Sequence, residues 1–368
     1  MSAGQVPGAG SSGAGSSGAG NTGAGNKGAG NTGAASTGAG IMRAGIIGAG
    51  WIGRRHAETL AGRDDVTVTA VCDTDSARAA AVAALSGAAV YEDWGKMLQT
   101  AALDALWVCT PPLAHAGPAV AALDRGLPLY LEKPIARWPA DARVIADAAA
   151  RSGAVCAVGY QWHAVDLIDD LRQALAGRAI GCMVGQSIGG TESRPWFLDR
   201  AAGGGNLLER GSHHIDLARA VAGEIVAVQA AASSVRMAPR PAGDGDIDDA
   251  VTLLLHFATG AIGAIVVAWT AGTVPGSYWL QVAAGDALLR LDLDPDYRLS
   301  GTAGGAAVAA VSRSAPFERS VDRFLTAVRS AEPGLVFCAP GDAARTLAVA
   351  AAAEQALTSG RTVQVAVD

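Results

Sequence analysis

Three stretches of this 368-residue chain carry residues whose types and spacing can do chemistry. The first, Gly48-Ala49-Gly50-Trp51-Ile52-Gly53, follows a short apolar run and opens a helical pattern. Gly48 permits a tight turn, Gly50 lets the backbone approach a pyrophosphate, and Gly53 allows close helix–strand packing. The helix N-terminus at Trp51 and Ile52 adds amide donors and partial positive charge. Asp73, twenty residues beyond Gly53, ends the next apolar run. A carboxylate there accepts from the adenosine ribose hydroxyls and repels a 2′-phosphate, which favours NAD; Asp75 and Arg78 leave NADP open. The second stretch is Glu132-Lys133-Pro134, where Pro134 holds Lys133 out of the α region and aims its ammonium from a strand's carboxyl end. The third runs from Gly203 to Asp216. In a regular helix Glu209 and His213, four apart, share one face, and His214 turns about 100° away.

The elements that must hold these residues alternate at first. Apolar runs near 44–47, 66–72, 103–109, 127–131 and 155–160 are separated by helical patterns at 51–62, from Ser76, at 115–125 and at 140–152. This predicts a parallel, doubly wound α/β sheet of Rossmann type. After about residue 162 the rhythm changes to one helix, six strand-like runs between 180 and 293, helical patterns at 317–330 and 341–358, and an extended end. That predicts a C-terminal α+β domain with a mostly antiparallel open sheet. The domains implied are 42–161 and 162–368, with the last helix free to pack back on the first.

Fourteen of the 48 glycines fall in residues 1–40, in a period-five Gly/Ala/Ser/Asn repeat. With almost no apolar area to offset about 1–2 kcal/mol of backbone ordering per residue, residues 1–41 should be disordered. Their removal should leave folding and activity intact.

Composition excludes several classes. A net charge of −6 without a Lys/Arg cluster argues against nucleic acid or an anionic membrane as partner. The charge-free stretch between Asp249 and Asp286 is broken by turns and is too short for a spanning helix. Five cysteines at no zinc-ligand spacing point to a reducing compartment and imply no metal. The N-terminus has no secretory pattern, so a cytoplasmic location is expected.

Read with the glycine loop, Cys109-Thr110-Pro111-Pro112-Leu113-Ala114-His115, Glu132-Lys133-Pro134 and Gly203-Gly204-Gly205-Asn206-Leu207-Leu208-Glu209-Arg210-Gly211-Ser212-His213-His214-Ile215-Asp216 resemble the Gfo/Idh/MocA family of NAD(P)-dependent oxidoreductases, whose members include glucose–fructose oxidoreductase and inositol dehydrogenase. The resemblance runs from residue 42 to the C-terminus. It implies hydride transfer between a nicotinamide cofactor and a secondary alcohol or ketone of a sugar, inositol or related polyol. His213 is then the acid/base and Lys133 polarises the same oxygen. Glu209 stands where the family usually has Asp. Glu132 resembles a contact to the nicotinamide ribose, and Thr110, Pro111 and His115 a loop lining the nicotinamide. Gly159-Tyr160-Gln161-Trp162-His163 resembles the interdomain segment, with Gln161 near the nicotinamide and Trp162 and His163 toward substrate. His163 replaces the familiar Arg. Trp196 and Trp269 are further candidate sugar-stacking faces, Asp216 a candidate to orient His213, and Gly211 a point of close approach to the ligand. The second domain implies a homo-oligomer. Two other readings are a glycoside-cleaving or elimination enzyme that recycles NAD, and a catalytically idle NAD(H)-binding sensor or scaffold. The substrate pocket is expected to depend on loops 190–202, 236–247 and 270–277.

Overall fold

The computed structural model describes residues 40–190, 194–235, 247–270 and 274–366. The expected tail, Gly40 and Ile41 apart, lies outside the described residues, as do parts of the three pocket loops. The first half alternates β1 (Met42–Ile47), α1 (Trp51–Ala61), β2 (Val66–Cys72), α2 (Ser76–Ala83), β3 (Ala89–Tyr91), α3 (Trp94–Thr100), β4 (Ala105–Val108), α4 (Ala116–Leu123), β5 (Leu129–Leu131), α5 (Pro139–Ser152) and β6 (Cys156–Val158). Its six strands are parallel in the order β3-β2-β1-β4-β5-β6, the doubly wound sheet anticipated. Order reverses between β1 and β4, which opens a crevice at the carboxyl ends of the strands. Every residue of β4, β5 and β6 is buried, as a sheet covered on both faces requires. The sequence reading passed over β3 and α3 because Ala89 and Val90 are exposed and the strand is three residues long.

Three of the helix starts show how local chemistry sorts them. Asp75 caps α2 by accepting from Ala77 N and Arg78 N, and Asp93 caps α3 by accepting from Lys96 N. The cap of α1 is Gly50, which offers no side chain, so the first-turn amides are left for another acceptor.

The second half contains α6 (Leu167–Leu175), β7 (Ile180–Gly190), α7 (Pro195–Leu198), α8 (Arg200–Gly203), α9 (Ser212–Ala222), β8 (Ile225–Ser233), β9 (Ala250–Phe257), β10 (Ile262–Thr270), β11 (Ser277–Ala284), β12 (Ala287–Leu293), β13 (Arg298–Ala303), β14 (Ala306–Val311), α10 (Pro316–Ser330), α11 (Pro340–Ser359) and β15 (Val363–Gln364). Nine strands form one sheet in the order β14-β13-β12-β11-β7-β10-β9-β8-β15. Among the described residues only β7 and β10 of this sheet pair in parallel, so the sheet is mostly antiparallel as expected. Strands β13 and β14 were not anticipated, since their small residues join at Gly304-Gly305, both with positive φ, and give little apolar alternation. Helices α6, α9 and α11 cover one face, burying Met183, Leu253, Leu255, Ile265, Val267, Leu280 and Leu289. The chain then returns to the first half. Phe317, Val321 and Phe324 of α10 enter a core with Trp107 and Tyr130, and α11 lies against both α5 and β8. No helix among the described residues is long and apolar enough to cross a membrane.

Candidate active site

The glycine loop is set by close approaches. Gly48 has φ +97°, and a Cβ there would lie 2.6 Å from the carbonyl carbon of Cys109. A Cβ on Gly53 would stand 1.8 Å from Gly48 O, so the helix and the strand's end touch through bare backbone. A Cβ on Gly50 would meet nothing within 4 Å, so the space above the uncapped start of α1 is open. An anionic pyrophosphate fits that combination of free amides, helix polarity and clearance. Trp51 is exposed beside it and Ile52 half-buried. Asp73 closes the loop from β2: Oδ2 accepts from Ala49 N at 2.7 Å, and Oδ1 from Asp75 N at 2.9 Å and Arg78 Nη2 at 3.2 Å.

Cys109 through His115 follow β4. His115 is fully buried, with Nε2 2.7 Å from Thr110 O and Nδ1 3.2 Å from Ile135 O. Burial lowers its pKa, so the neutral ring donates to one of these carbonyls, and Thr110 O is the better placed. Its side chain therefore ties the loop together from inside instead of lining it. Thr110 Oγ1 is buried with no hydrogen-bond partner, and Pro111 is half-buried before a short 3₁₀ turn. Glu132 is also buried. Its Oε1 lies 2.8 Å from His56 Nε2, and its Oε2 accepts from Lys133 N at 3.1 Å. His56, on α1, is a partner the sequence reading missed, because a histidine inside an amphipathic helix announces nothing by itself.

Lys133 precedes a cis peptide bond to Pro134 and reaches across to the second half. Its Nζ lies 2.7 Å from Glu209 Oε1 and donates to Glu209 O at 2.9 Å. Residues 207–211 form a π-helical turn ahead of α9, so Glu209 and His213 are related by a wider turn than the regular spacing assumed. Burial pushes the Glu209 carboxyl up, but the Lys133 ammonium, with Arg194 and Arg210, outweighs it and holds the group ionised below its ordinary range. His213 is half-buried between Trp162, 4.9 Å away and tilted, and Tyr160, edge-on at 5.8 Å. Burial, then the charges of Lys133, His214 and Arg210, hold it well below the usual histidine range. It is neutral at pH 7 and able to accept a proton.

Several expected partners are placed elsewhere. His214 is a packing residue, with its Nε2 3.1 Å from Trp279 O. Asp216 does not orient His213; it faces His163, whose Nδ1 is 3.3 Å from Asp216 Oδ2. His163 thereby turns its Nδ1 toward Asp216 and remains half-buried. Trp162 is buried behind His213, Trp269 is fully buried against Phe197, Trp196 is half-buried beside that cluster, and Gln161 is half-buried at the junction. Gly211 is buried, and a Cβ there would make ordinary contacts with Leu207 and Val267 at 3.4 Å. Arg210 lay within the quoted motif, but its bond to Gly190 O could not be read from spacing.

A family model described as an oxidoreductase family with an NAD-binding Rossmann fold matches residues 42–160. A second, described as a GFO/IDH/MocA C-terminal domain, matches residues 176–307. Levoglucosan dehydrogenase of Pseudarthrobacter phenanthrenivorans is 27% identical over 201 residues, 47% of this chain and 51% of the relative. Rhizopine catabolism protein MocA of Rhizobium meliloti is 30% identical over 220 residues, 58% of this chain and 67% of the relative. The chain thus spans between half and two thirds of the length of these curated relatives. The crystal structure of an oxidoreductase domain protein from Kribbella flavida matches with a TM-score of 0.79 at 22% identity, covering 89% of this chain and 100% of that one. At that identity the likeness speaks to the fold.

Proposed function

The chain belongs to the GFO/IDH/MocA oxidoreductases, with an NAD-binding Rossmann fold, and from this premise we propose that it interconverts a secondary alcohol and a ketone on a sugar, inositol or related polyol. The observation that carries the reading is the convergence of Lys133, from the carboxyl end of β5, on Glu209 and the neutral His213 of the other half. Gly48, Gly50, Gly53, Trp51, Ile52 and Asp73 hold the dinucleotide, and Thr110, Pro111, Glu132 and Gln161 shape its nicotinamide end. NAD supplies the two-electron acceptor when bound. His213 accepts the substrate hydroxyl proton, and Lys133 Nζ donates a hydrogen bond to the same oxygen as negative charge develops on it. Glu209 holds the ammonium in place and remains ionised. In the reducing direction the same groups return the proton.

The relative named as a levoglucosan dehydrogenase supports a sugar or polyol substrate and favours net oxidation over a recycled cofactor. Retention of Lys133 and His213 at one point disfavours an idle binding module. A spectrophotometric screen of sugars, inositols and their keto derivatives with NAD and NADP tests the reading. Absence of turnover across that panel, with NAD bound, would overturn it.

The reading extends to assembly. The sheet's uncovered face carries Val184, Leu254, Ile262 and Leu288, each at least 37% exposed, which supports a homo-oligomer built on that face. A monomeric mass by light scattering would count against it. The five cysteines, none in a disulfide, support a reducing, cytoplasmic setting.

A further inference from the structure

Behind His213 four residues from distant parts of the chain meet. His163 comes from the 3₁₀ turn at the junction of the halves, Asp216 from α9, Cys338 from the segment before α11, and Asp342 from its first turn. His163 Nδ1 lies 3.3 Å from Asp216 Oδ2. Cys338 Sγ is 3.9 Å from Asp216 Oδ1 and 3.8 Å from Asp342 Oδ2. One ligand-type atom from each residue lies within 4.8 Å of every other. Bonds of about 2.0–2.3 Å around a tetrahedral zinc ion put its ligand atoms about 3.3–3.8 Å apart, so the cluster is near that spacing already.

A second observation points to a ligand. Asp216 is 1% exposed, and its Oδ2 is buried without a hydrogen bond, as is His163 Nδ1; the two face each other without donor–acceptor alignment. The two atoms meet as an ion pair at 3.3 Å and not as an aligned hydrogen bond, and both belong to residues of the cluster. The surrounding bonds leave the right atoms available. Arg219 and Arg345 take Asp342 Oδ1, while Oδ2 faces the thiol. Thr346 holds Asp216 through Oδ1. Arg219 and Arg345 are each shared between Asp342 and Glu224. His163 stands where the family resemblance leads one to expect Arg. A guanidinium would fill the gap with a fixed positive charge, whereas imidazole supplies a metal-binding nitrogen.

We propose that His163, Asp216, Cys338 and Asp342 bind one divalent transition-metal ion of the zinc class. The Cys338 thiol loses its proton to solvent as the metal–sulfur bond forms. Four protein ligands close the coordination shell, which makes the ion structural and leaves no position for a reacting water. It fastens the junction, α9 and α11 to one another, and Cys338 O already accepts from Val158 N at the end of β6. The proposal is independent of the substrate reading above.

The test uses the full chain, stripped with a chelator and dialysed against zinc, with bound metal measured by mass spectrometry. One zinc per chain is expected, with affinity at least 100-fold weaker in Cys338→Ser and Asp216→Asn. Cobalt loading should give a thiolate-to-metal absorption band that Cys338→Ser abolishes. Circular dichroism checks that each variant folds. His163→Gln, altered at the cluster's more open edge, gives the same answer should a buried variant fail to fold. Zinc uptake no greater than that of the variants, or uptake that survives all three substitutions, overturns the proposal.

Discussion

The ammonium of Lys133 touches Glu209 twice, through the carboxylate at 2.7 Å and the backbone oxygen at 2.9 Å. One side chain from the nucleotide half is thus held by one residue of the substrate half, and the held group is the donor that a developing alkoxide needs. Lys133→Met should lower kcat by about 10²–10³ while leaving NAD affinity near wild type. Glu209→Gln keeps the backbone contact but leaves a largely buried ammonium without its counter-ion. A stability loss of about 1–3 kcal/mol, read from denaturant midpoints, is the expected result. An unchanged midpoint would mean that solvent already screens the pair.

His213 gives a signed pH dependence. Burial first, and then Lys133, His214 and Arg210, lower its pKa from 6.5, so the base form persists as pH falls through the range where an ordinary histidine charges. The acid limb of kcat/KM for alcohol oxidation should therefore lie below pH 6.5. Removing the Lys133 charge relieves part of the depression, and the limb of Lys133→Met should move to higher pH. A limb at the ordinary histidine value in both proteins would remove His213 from the role.

The glycine loop separates binding from folding. Gly50 has φ −70°, which alanine adopts freely, and its Cβ would enter open space. Gly50→Ala should melt within about 1 kcal/mol of wild type yet bind NAD at least 10-fold more weakly, because the methyl occupies the approach to the pyrophosphate. Gly53→Ala drives a Cβ to 1.8 Å from Gly48 O and should lose both stability and binding. Equal NAD affinity in Gly50→Ala and wild type, measured by calorimetry, would place the phosphate elsewhere.

Phe324, fully buried on α10, packs edge-on against Trp107 at 5.2 Å and Tyr130 at 5.6 Å. Phe324→Ala should cost about 3–5 kcal/mol in a urea melt, the range for a large aromatic removed from a closed core. A cost near zero would show that α10 contributes little to the nucleotide half.

What was legible in the sequence was local. The turn at Gly48 and the strand-to-loop position of Lys133 each depend on a few neighbouring residues, and each was placed from them. The strands with alternating or fully apolar runs were legible for the same reason. Contacts made across long separations were not. His163 and Asp216 meet Cys338 and Asp342 over more than 120 positions, and no spacing rule joins them. The burial of His115 and of Glu132 against His56 likewise follows from three-dimensional packing. The π-helical turn before His213 changed an angle that a regular helix fixes, and strands built from Ala, Gly and Ser carried too little hydrophobic contrast to be seen.

The return of α10 to the first half has a consequence for synthesis. Trp107 and Tyr130 are covered by Phe317, Val321 and Phe324, which lie near the end of the chain. While the protein is being made, the nucleotide half emerges from the ribosome first, with the part of its sheet around Trp107 and Tyr130 still uncovered. It cannot complete its packing until residues 316–330 arrive, after β7 to β14 of the second sheet have been translated. Domains commonly finish in the order they are synthesised, N-terminal first. In this chain the first half to be made is closed by one of the last helices.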